Sequence, residues 1–400
     1  MKGVAGVARI DLVDLQALDR ELGPELRAAV DRVARSGSFI LGQTVASFER
    51  ALASHCGVPH AVGVASGTDA LALALMAAGV EPGDRVITTP LSFIATAEAI
   101  LRVGAAAHFV DVDEERLCLS AAAVERVLAR CQRDRHGRLV EPVSGDRMGA
   151  ILPVHLYGRV ADVPALASLA REAGLPLIED AAQAIGARVD GRALGQDGAA
   201  CLSFFPTKNL GGWGDGGAVL TADGTLAEQV RALRVHGASG PGTYAELGFN
   251  SRLDAIQAAV LEVKLGHLDG WSERRRGNAE RYGQCLAEAE LSPWVAAPPA
   301  LRDGDLCHLY TVQVRGDSGG EQRAALQAHL AAAGIGSAVY YPQLLCDQPA
   351  IAARLTAPPD ALPVARAATG RLLSLPVHES LAEGSVERVV EAMAAHFATA

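Results

Sequence analysis

The sequence predicts an α/β protein: a large domain with a mostly parallel central sheet flanked by helices, followed by a smaller C-terminal α+β domain. Three observations predict it. Between residues 60 and 204, short β-rich runs alternate with helix-like stretches, the rhythm of a parallel sheet. After Arg252 that alternation gives way to two long amphipathic stretches. The 400 residues, 50% hydrophobic and 20% charged, suffice for two domains. The boundary is placed near residue 260, giving a large domain at 1–260 and a small one at 261–400.

The strand-like runs are 60–65, 85–89, 106–112, 150–154, 175–179 and 200–204. Between them, 68–78, 95–103, 121–129 and 163–173 carry alanine and leucine at helical spacing and end near glycines, so helices should cover both sheet faces. Segments 253–268 and 271–289 read as connecting helices. A strand at 308–315, a helix at 322–333, a second strand at 337–340 and a final helix at 386–397 complete the small domain. Residues 131–147, with Arg133, Asp134, Arg135, His136 and Arg138, read as a solvated insertion. Arg274, Arg275 and Arg276, with Glu273 and Glu280 nearby, read as a solvated helix face. No internal repeat is visible.

Composition excludes several function classes. Thirty-six Lys and Arg against 46 Asp and Glu give a net charge of -10, which works against nonspecific nucleic-acid binding. An anionic ligand therefore needs local donors. The seven cysteines are scattered and never spaced Cys-x-x-Cys, so neither a zinc site nor a disulfide framework is expected. The apolar letters of Met1 to Val7 are interrupted by Arg9 and Asp11, too early for a signal-peptide core. The apolar run 70–80 is short of the ~18 residues that span a bilayer. A cytoplasmic protein with no membrane partner is expected.

The chemistry concentrates in two segments. Residues 203–217 put one lysine, Lys208, between an apolar strand and a glycine-crowded loop; residues 175–183 end an apolar strand on Asp180 before small residues. Burial lowers a lysine pKa toward neutrality, which Schiff-base formation with an aldehyde requires. A carboxylate at the C-terminal end of a buried strand sits where open α/β sheets bind ligands. There it could keep a pyridine nitrogen protonated, since a contact charge shifts a pKa by about 1 to 3 units, roughly 1.4 to 4 kcal/mol. Read singly, Lys208 is a loop lysine and Asp180 a helix cap. Read together they suggest a pyridoxal 5'-phosphate site.

Other residues fit around that pair. Ser66, Gly67 and Thr68 follow the first strand and open a helix, where backbone N–H groups and a hydroxyl can cradle a phosphate, or merely cap the helix. Ser203 could add a hydroxyl to that phosphate. Phe93 lies on a loop at the sheet's carboxyl edge and could stack on a flat cofactor or belong to the core. Gln183 could fold back over the same pocket. Asn250 and Arg252 offer an amide and a guanidinium suited to a phosphate or carboxylate. His155 is either an acid–base group or a structural histidine.

Taken together, the stretches 10–15, 36–42, 66–70, 93–96, 153–158, 179–183, 203–210, 214–217 and 250–254 resemble the DegT/DnrJ/EryC1/StrS family of sugar aminotransferases, within the fold-type I aminotransferases. The resemblance implies that Lys208 forms the imine with the cofactor, Asp180 pairs with its ring nitrogen, and Gln183 and Phe93 contact its ring. It assigns Gly67, Thr68 and Ser203 to the phosphate, Asn250 to the phosphate across a homodimer interface, and Arg252 to the substrate side. The implied reaction passes an amino group from an amino acid, L-glutamate, through pyridoxamine 5'-phosphate to a nucleotide-linked ketosugar. Relatives that dehydrate sugars carry histidine in place of Lys208, so transamination is expected. Gln183, a histidine in some relatives, favours C3 over C4 of the sugar. One departure is Tyr340-Tyr341-Pro342, where many relatives read His-Tyr-Pro, so these two tyrosines are candidates for altered substrate recognition. Two other readings stay open: a fold-type I aminotransferase for a keto substrate without a nucleotide, and a cofactor-binding regulator, for which 1–59 offers neither a helix-turn-helix signal nor a basic stripe.

Overall fold

A computed structural model describes residues 9–316, 320–355 and 359–398. The stretch Met1 to Val7, read above for a targeting signal, lies outside the described residues. Seven strands form the central sheet: β1 (His60–Val64), β2 (Arg85–Thr88), β3 (Ala106–Phe109), β4 (Met148–Leu152), β5 (Ile178–Asp180), β6 (Ala199–Ser203) and β7 (Gly217–Thr221). One ladder runs β1-β7-β6-β5 and another β4-β2-β3. Parallel bridges Ile151–Leu177 and Val154–Asp180 join them at β5 and β4. β7 alone runs antiparallel to its neighbours, β1 and β6. The expected parallel sheet therefore carries one reversed strand.

Side-chain alternation makes the sheet two-sided. In β6, Ala199 and Cys201 join the core beneath the helices Gly67–Ala77 and Gly224–Leu233. Ala200 and Leu202 join the opposite core, with the helices Leu15–Ser36, Gly42–Cys56, Val163–Ala173 and Ala255–Leu265. Both faces are thus covered, as parallel strands require. Helix 163–173 forms with Asp162 accepting from Ala165 N at 3.2 Å at its start and Gly174 in the left-handed region at its end. The two N-terminal helices and β7 were not anticipated.

Residues 131–147 form an exposed hairpin of two short strands, Gln132–Arg133 and Leu139–Val140, in keeping with a solvated insertion. Toward the C-terminus, β8 (Val295–Ala296), β9 (Tyr310–Val314) and β10 (Leu372–Leu375) pair antiparallel in that order. They share a separate core with the helices Leu268–Glu288, Glu321–Ala332 and Ser385–Phe397. The strand expected at 337–340 is corrected: only Ala338 bridges, to Ser374. The ladder position belongs to Leu372–Leu375, whose four residues are all buried. No described helix is long and apolar enough to cross a membrane.

Candidate active site

The carboxyl ends of β1, β5 and β6 open into a cavity of about 630 Å³. Such sheet edges are where open α/β sheets bind ligands. Lys208 and Asp180 both line it. So do Gly67, Thr68 and Ser203 on one side, Phe93 and Gln183 beside Asp180, and Tyr340 and Tyr341 from the C-terminal part of the chain.

Lys208 is placed by a tight loop at the end of β6. Its N–H donates to Phe205 O at 2.8 Å, while Gly212 N donates back to Phe204 O at 2.8 Å. The loop closes so tightly that a Cβ on Gly211 would meet Pro206 O at 2.2 Å, which selects glycine there. Buried Lys264 donates to Gly211 O at 2.6 Å and clamps the same loop. Burial pulls the Lys208 amine down from 10.5 to about 8, against the opposing pull of Asp180. The result is an amine that loses its proton near neutrality.

Asp180 ends β5, buried and oriented by two donors. Thr96 Oγ1 donates to its Oδ2 at 2.7 Å and Ala182 N to its Oδ1 at 3.2 Å. Ser92 Oγ backs Thr96 at 2.8 Å. Beside it, Gln183 Oε1 accepts from Tyr157 N at 2.5 Å, and its Nε2 donates to Tyr341 Oη at 3.4 Å. Tyr157 Oη in turn donates to Tyr340 O, so the two tyrosines are held against the Gln183 wall. Phe93 is 58% exposed at the mouth, its ring 6.3 Å from that of Tyr341.

The cavity wall at Gly67, Thr68 and Ser203 offers hydrogen-bond donors. The helix Gly67–Ala77 begins at the cavity with Ser66 Oγ accepting from Asp69 N at 3.1 Å. Its first N–H groups have no carbonyl partner within the helix and carry the positive end of its dipole. A Cβ on Gly67 would lie 2.7 Å from Ser203 Cβ, so only glycine lets the helix end approach the Ser203 side. Thr68 adds a hydroxyl, and that of Ser203 lies nearby, accepting from Phe205 N at 3.3 Å.

Asn250 and Arg252 are not brought to this cavity: Asn250 is exposed and Arg252 half-buried, both outside its lining. Between them, buried Ser251 donates to Asp69 Oδ2 at 2.7 Å and accepts from Ala65 N at 3.2 Å, tying their segment to the helix Gly67–Ala77. His155 is structural: fully buried, with Nδ1 accepting from Ala161 N at 3.1 Å and Nε2 donating to Glu179 at 3.0 Å. Three groups at or behind the cavity wall escaped the sequence reading: His308 and Arg275 line it, and Thr96 is buried behind Asp180. Thr96 lies within the stretch 93–96, yet nothing in that stretch says it faces Asp180. His308 is buried with Nδ1 2.8 Å from Asn209 Oδ1. Arg275, expected on a solvated face, is 5% exposed and paired with Glu379 at 2.7 Å, while Arg274 is exposed.

This donor set fits pyridoxal 5'-phosphate. A near-neutral buried amine suits its aldehyde, an oriented carboxylate suits its ring nitrogen, and a glycine-gated helix terminus with two hydroxyls suits its phosphate.

Comparison with known proteins agrees. The model of the DegT/DnrJ/EryC1/StrS aminotransferase family matches residues 20–394. A Geobacillus stearothermophilus protein named "Pleiotropic regulatory protein" is 42% identical over 97% of this chain and 100% of its own length. An Acidithiobacillus ferrooxidans UDP-N-acetyl-3-dehydro-alpha-D-glucosamine 3-aminotransferase is 40% identical over 95% of this chain and 96% of its own. The crystal structure of S. venezuelae DesV in complex with a ketimine intermediate superposes with a TM-score of 0.87 at 40% identity, covering 97% of this chain and 98% of that one.

Proposed function

The chain belongs to the DegT/DnrJ/EryC1/StrS aminotransferase family and uses pyridoxal 5'-phosphate, and from that premise we propose that it transfers an amino group from L-glutamate to C3 of a nucleotide-linked ketosugar. The observation that carries this reading is one cavity lined by a lysine of pKa about 8, the oriented carboxylate of Asp180 and an anion-binding helix terminus. When bound, the cofactor supplies an electron-accepting ring and a carbonyl that alternately takes and gives the amino group.

In this reading Asp180 faces the ring nitrogen, Gln183 and Phe93 flank the ring, and Gly67, Thr68 and Ser203 hold the phosphate. Lys208 Nζ takes up a proton from the donor's α-carbon in one half-reaction and delivers one to the sugar carbon in the other. With a pKa of about 8, roughly a tenth of the amine is neutral at pH 7, against about 0.03% for an ordinary lysine. Tyr340 and Tyr341 contact the sugar nucleotide. Asn250, which lies outside its own cavity, serves the phosphate of a second copy in a homodimer, and Arg252 serves the substrate side. Amination at C3 is supported by Gln183 and by the relative acting on a 3-dehydro sugar. The proposed setting is aminosugar biosynthesis in the cytoplasm.

The test is a panel of UDP- and dTDP-linked 3- and 4-ketosugars offered to the pyridoxamine form, with return of the aldehyde form followed by absorbance. A 3-ketosugar should respond. A response from a 4-ketosugar alone would overturn the C3 assignment, and a response only from keto acids would overturn the sugar substrate. Absence of turnover with every donor and acceptor would favour the regulatory role that the Geobacillus relative's name suggests.

A further inference from the structure

His308 is fixed more firmly than a cavity-wall residue needs to be. Its backbone N donates to Tyr157 O at 3.0 Å, and its carbonyl accepts from Arg275 Nη1 at 3.1 Å. His308 lines the same cavity as Lys208, and its Nδ1 lies 2.8 Å from Oδ1 of Asn209, the residue after Lys208. With the Asn209 oxygen turned to the ring, Nδ1 carries the hydrogen and Nε2 presents a lone pair, an orientation that leaves Asn209 Nδ2 buried without a partner. Among the described residues nothing hydrogen-bonds that Nε2.

The charges around the ring keep it neutral. Burial, and then the cations of Lys208 and Arg275, hold the imidazole well below its ordinary value. Glu379 is occupied by Arg275, and Asp180 by Thr96 and Ala182. His308 therefore does not titrate in the working range.

We propose that His308 is a positioning residue for Lys208: tied by Asn209 in one tautomer, it offers the lysine amine an uncharged hydrogen-bond acceptor on the cavity wall. The inference rests on Lys208 being the reactive amine. A lysine ammonium released into this cavity needs acceptors for its three hydrogens. A carboxylate at 308 would hold the proton too tightly, and a cation would expel it. A neutral acceptor steadies the ammonium while leaving its proton affinity near the working pH, where a group that both takes and gives protons is most effective.

The experiment is competitive labelling of Lys208 with acetic anhydride across pH in cofactor-free protein, read by peptide mass spectrometry, together with steady-state kinetics of the loaded enzyme. Wild type should show Lys208 titrating near 8. His308→Leu removes the acceptor and should lower that value by about 1 unit. It should also reduce kcat roughly 10- to 100-fold with KM changed by less than about 3-fold. His308→Gln, which restores a neutral acceptor, should return the titration to within about half a unit of wild type. Should His308→Leu not fold, His308→Asn, whose amide is too short to reach, should behave as described for leucine. An unchanged Lys208 titration in the leucine and asparagine variants, or a glutamine variant as impaired as leucine, would overturn the inference. If Lys208 of the wild type titrates as an ordinary lysine, the fault lies in the reading of Lys208 itself.

Discussion

Replacing Lys208 by methionine is expected to stabilise the cofactor-free protein at neutral pH, and the stabilisation should fade as pH rises. Burial holds the folded-state amine at about 8, against 10.5 for a free lysine. The unfolded chain therefore binds this proton more tightly, and the charged Lys208 opposes folding fully at any pH below about 8. Between about 8 and 10.5 the folded amine is neutral while the unfolded one is still charged, so the penalty shrinks with rising pH and is gone above 10.5. The gap corresponds to about 3 kcal/mol. For 400 residues unfolding with about 2 cal/mol/K of entropy each, that is roughly 4 °C in Tm. Melting curves of wild type and Lys208→Met, taken from about pH 6.5 to about pH 10.5, supply the comparison. Methionine adds a pH-independent packing contribution, so the slope of the difference decides. A Tm difference that stays flat across this range would refute the claim that the fold desolvates this amine.

Three other outcomes are expected. Thr96→Val strips Asp180 of its hydroxyl donor, which costs about 1–3 kcal/mol for a bond to a charged group; kcat should fall roughly 10- to 100-fold, and unchanged kinetics would remove Thr96 from the site. Gly67→Ala puts a Cβ 2.7 Å from Ser203 Cβ, so equilibrium dialysis should show pyridoxal phosphate bound at least about 10-fold more weakly, and equal affinity would contradict the phosphate assignment. Mixing Lys208→Ala with Asn250→Ala, each inactive alone, should restore about a quarter of wild-type activity through mixed dimers with one intact site; no recovery would contradict a site shared between copies.

Much of the layout was legible because local sequence sets it. Helix 163–173 shows in its alanine and leucine spacing and its ending near a glycine, to which the structure adds the Asp162 cap, and the β6-to-Lys208 segment shows in its run of apolar residues followed by glycines. What was missed depends on contacts distant in sequence. β7 is a short buried run just after glycines, and its reversed direction follows from pairing with β1 and β6 rather than from its own residues. Residues 337–340 are β-prone by sequence, yet only Ala338 makes a bridge, and the ladder place goes to Leu372–Leu375. Arg275 shares its sequence surroundings with Arg274 and Arg276; packing against Glu379 and the His308 carbonyl buries it, Arg276 is half-buried and donates to Asp305 O at 2.7 Å, and Arg274 alone of the three is exposed. In the same way Thr96 lies 84 positions from the carboxylate it orients, beyond the reach of any local pattern.

Borohydride reduction of the loaded enzyme, followed by mapping of the modified peptide, tests the central claim most directly. The account predicts the cofactor fixed to Lys208 alone, lost from it when L-glutamate is added before reduction, and regained when a UDP- or dTDP-linked 3-ketosugar follows. Cofactor fixed to another lysine, or label on Lys208 that glutamate leaves in place, would contradict it.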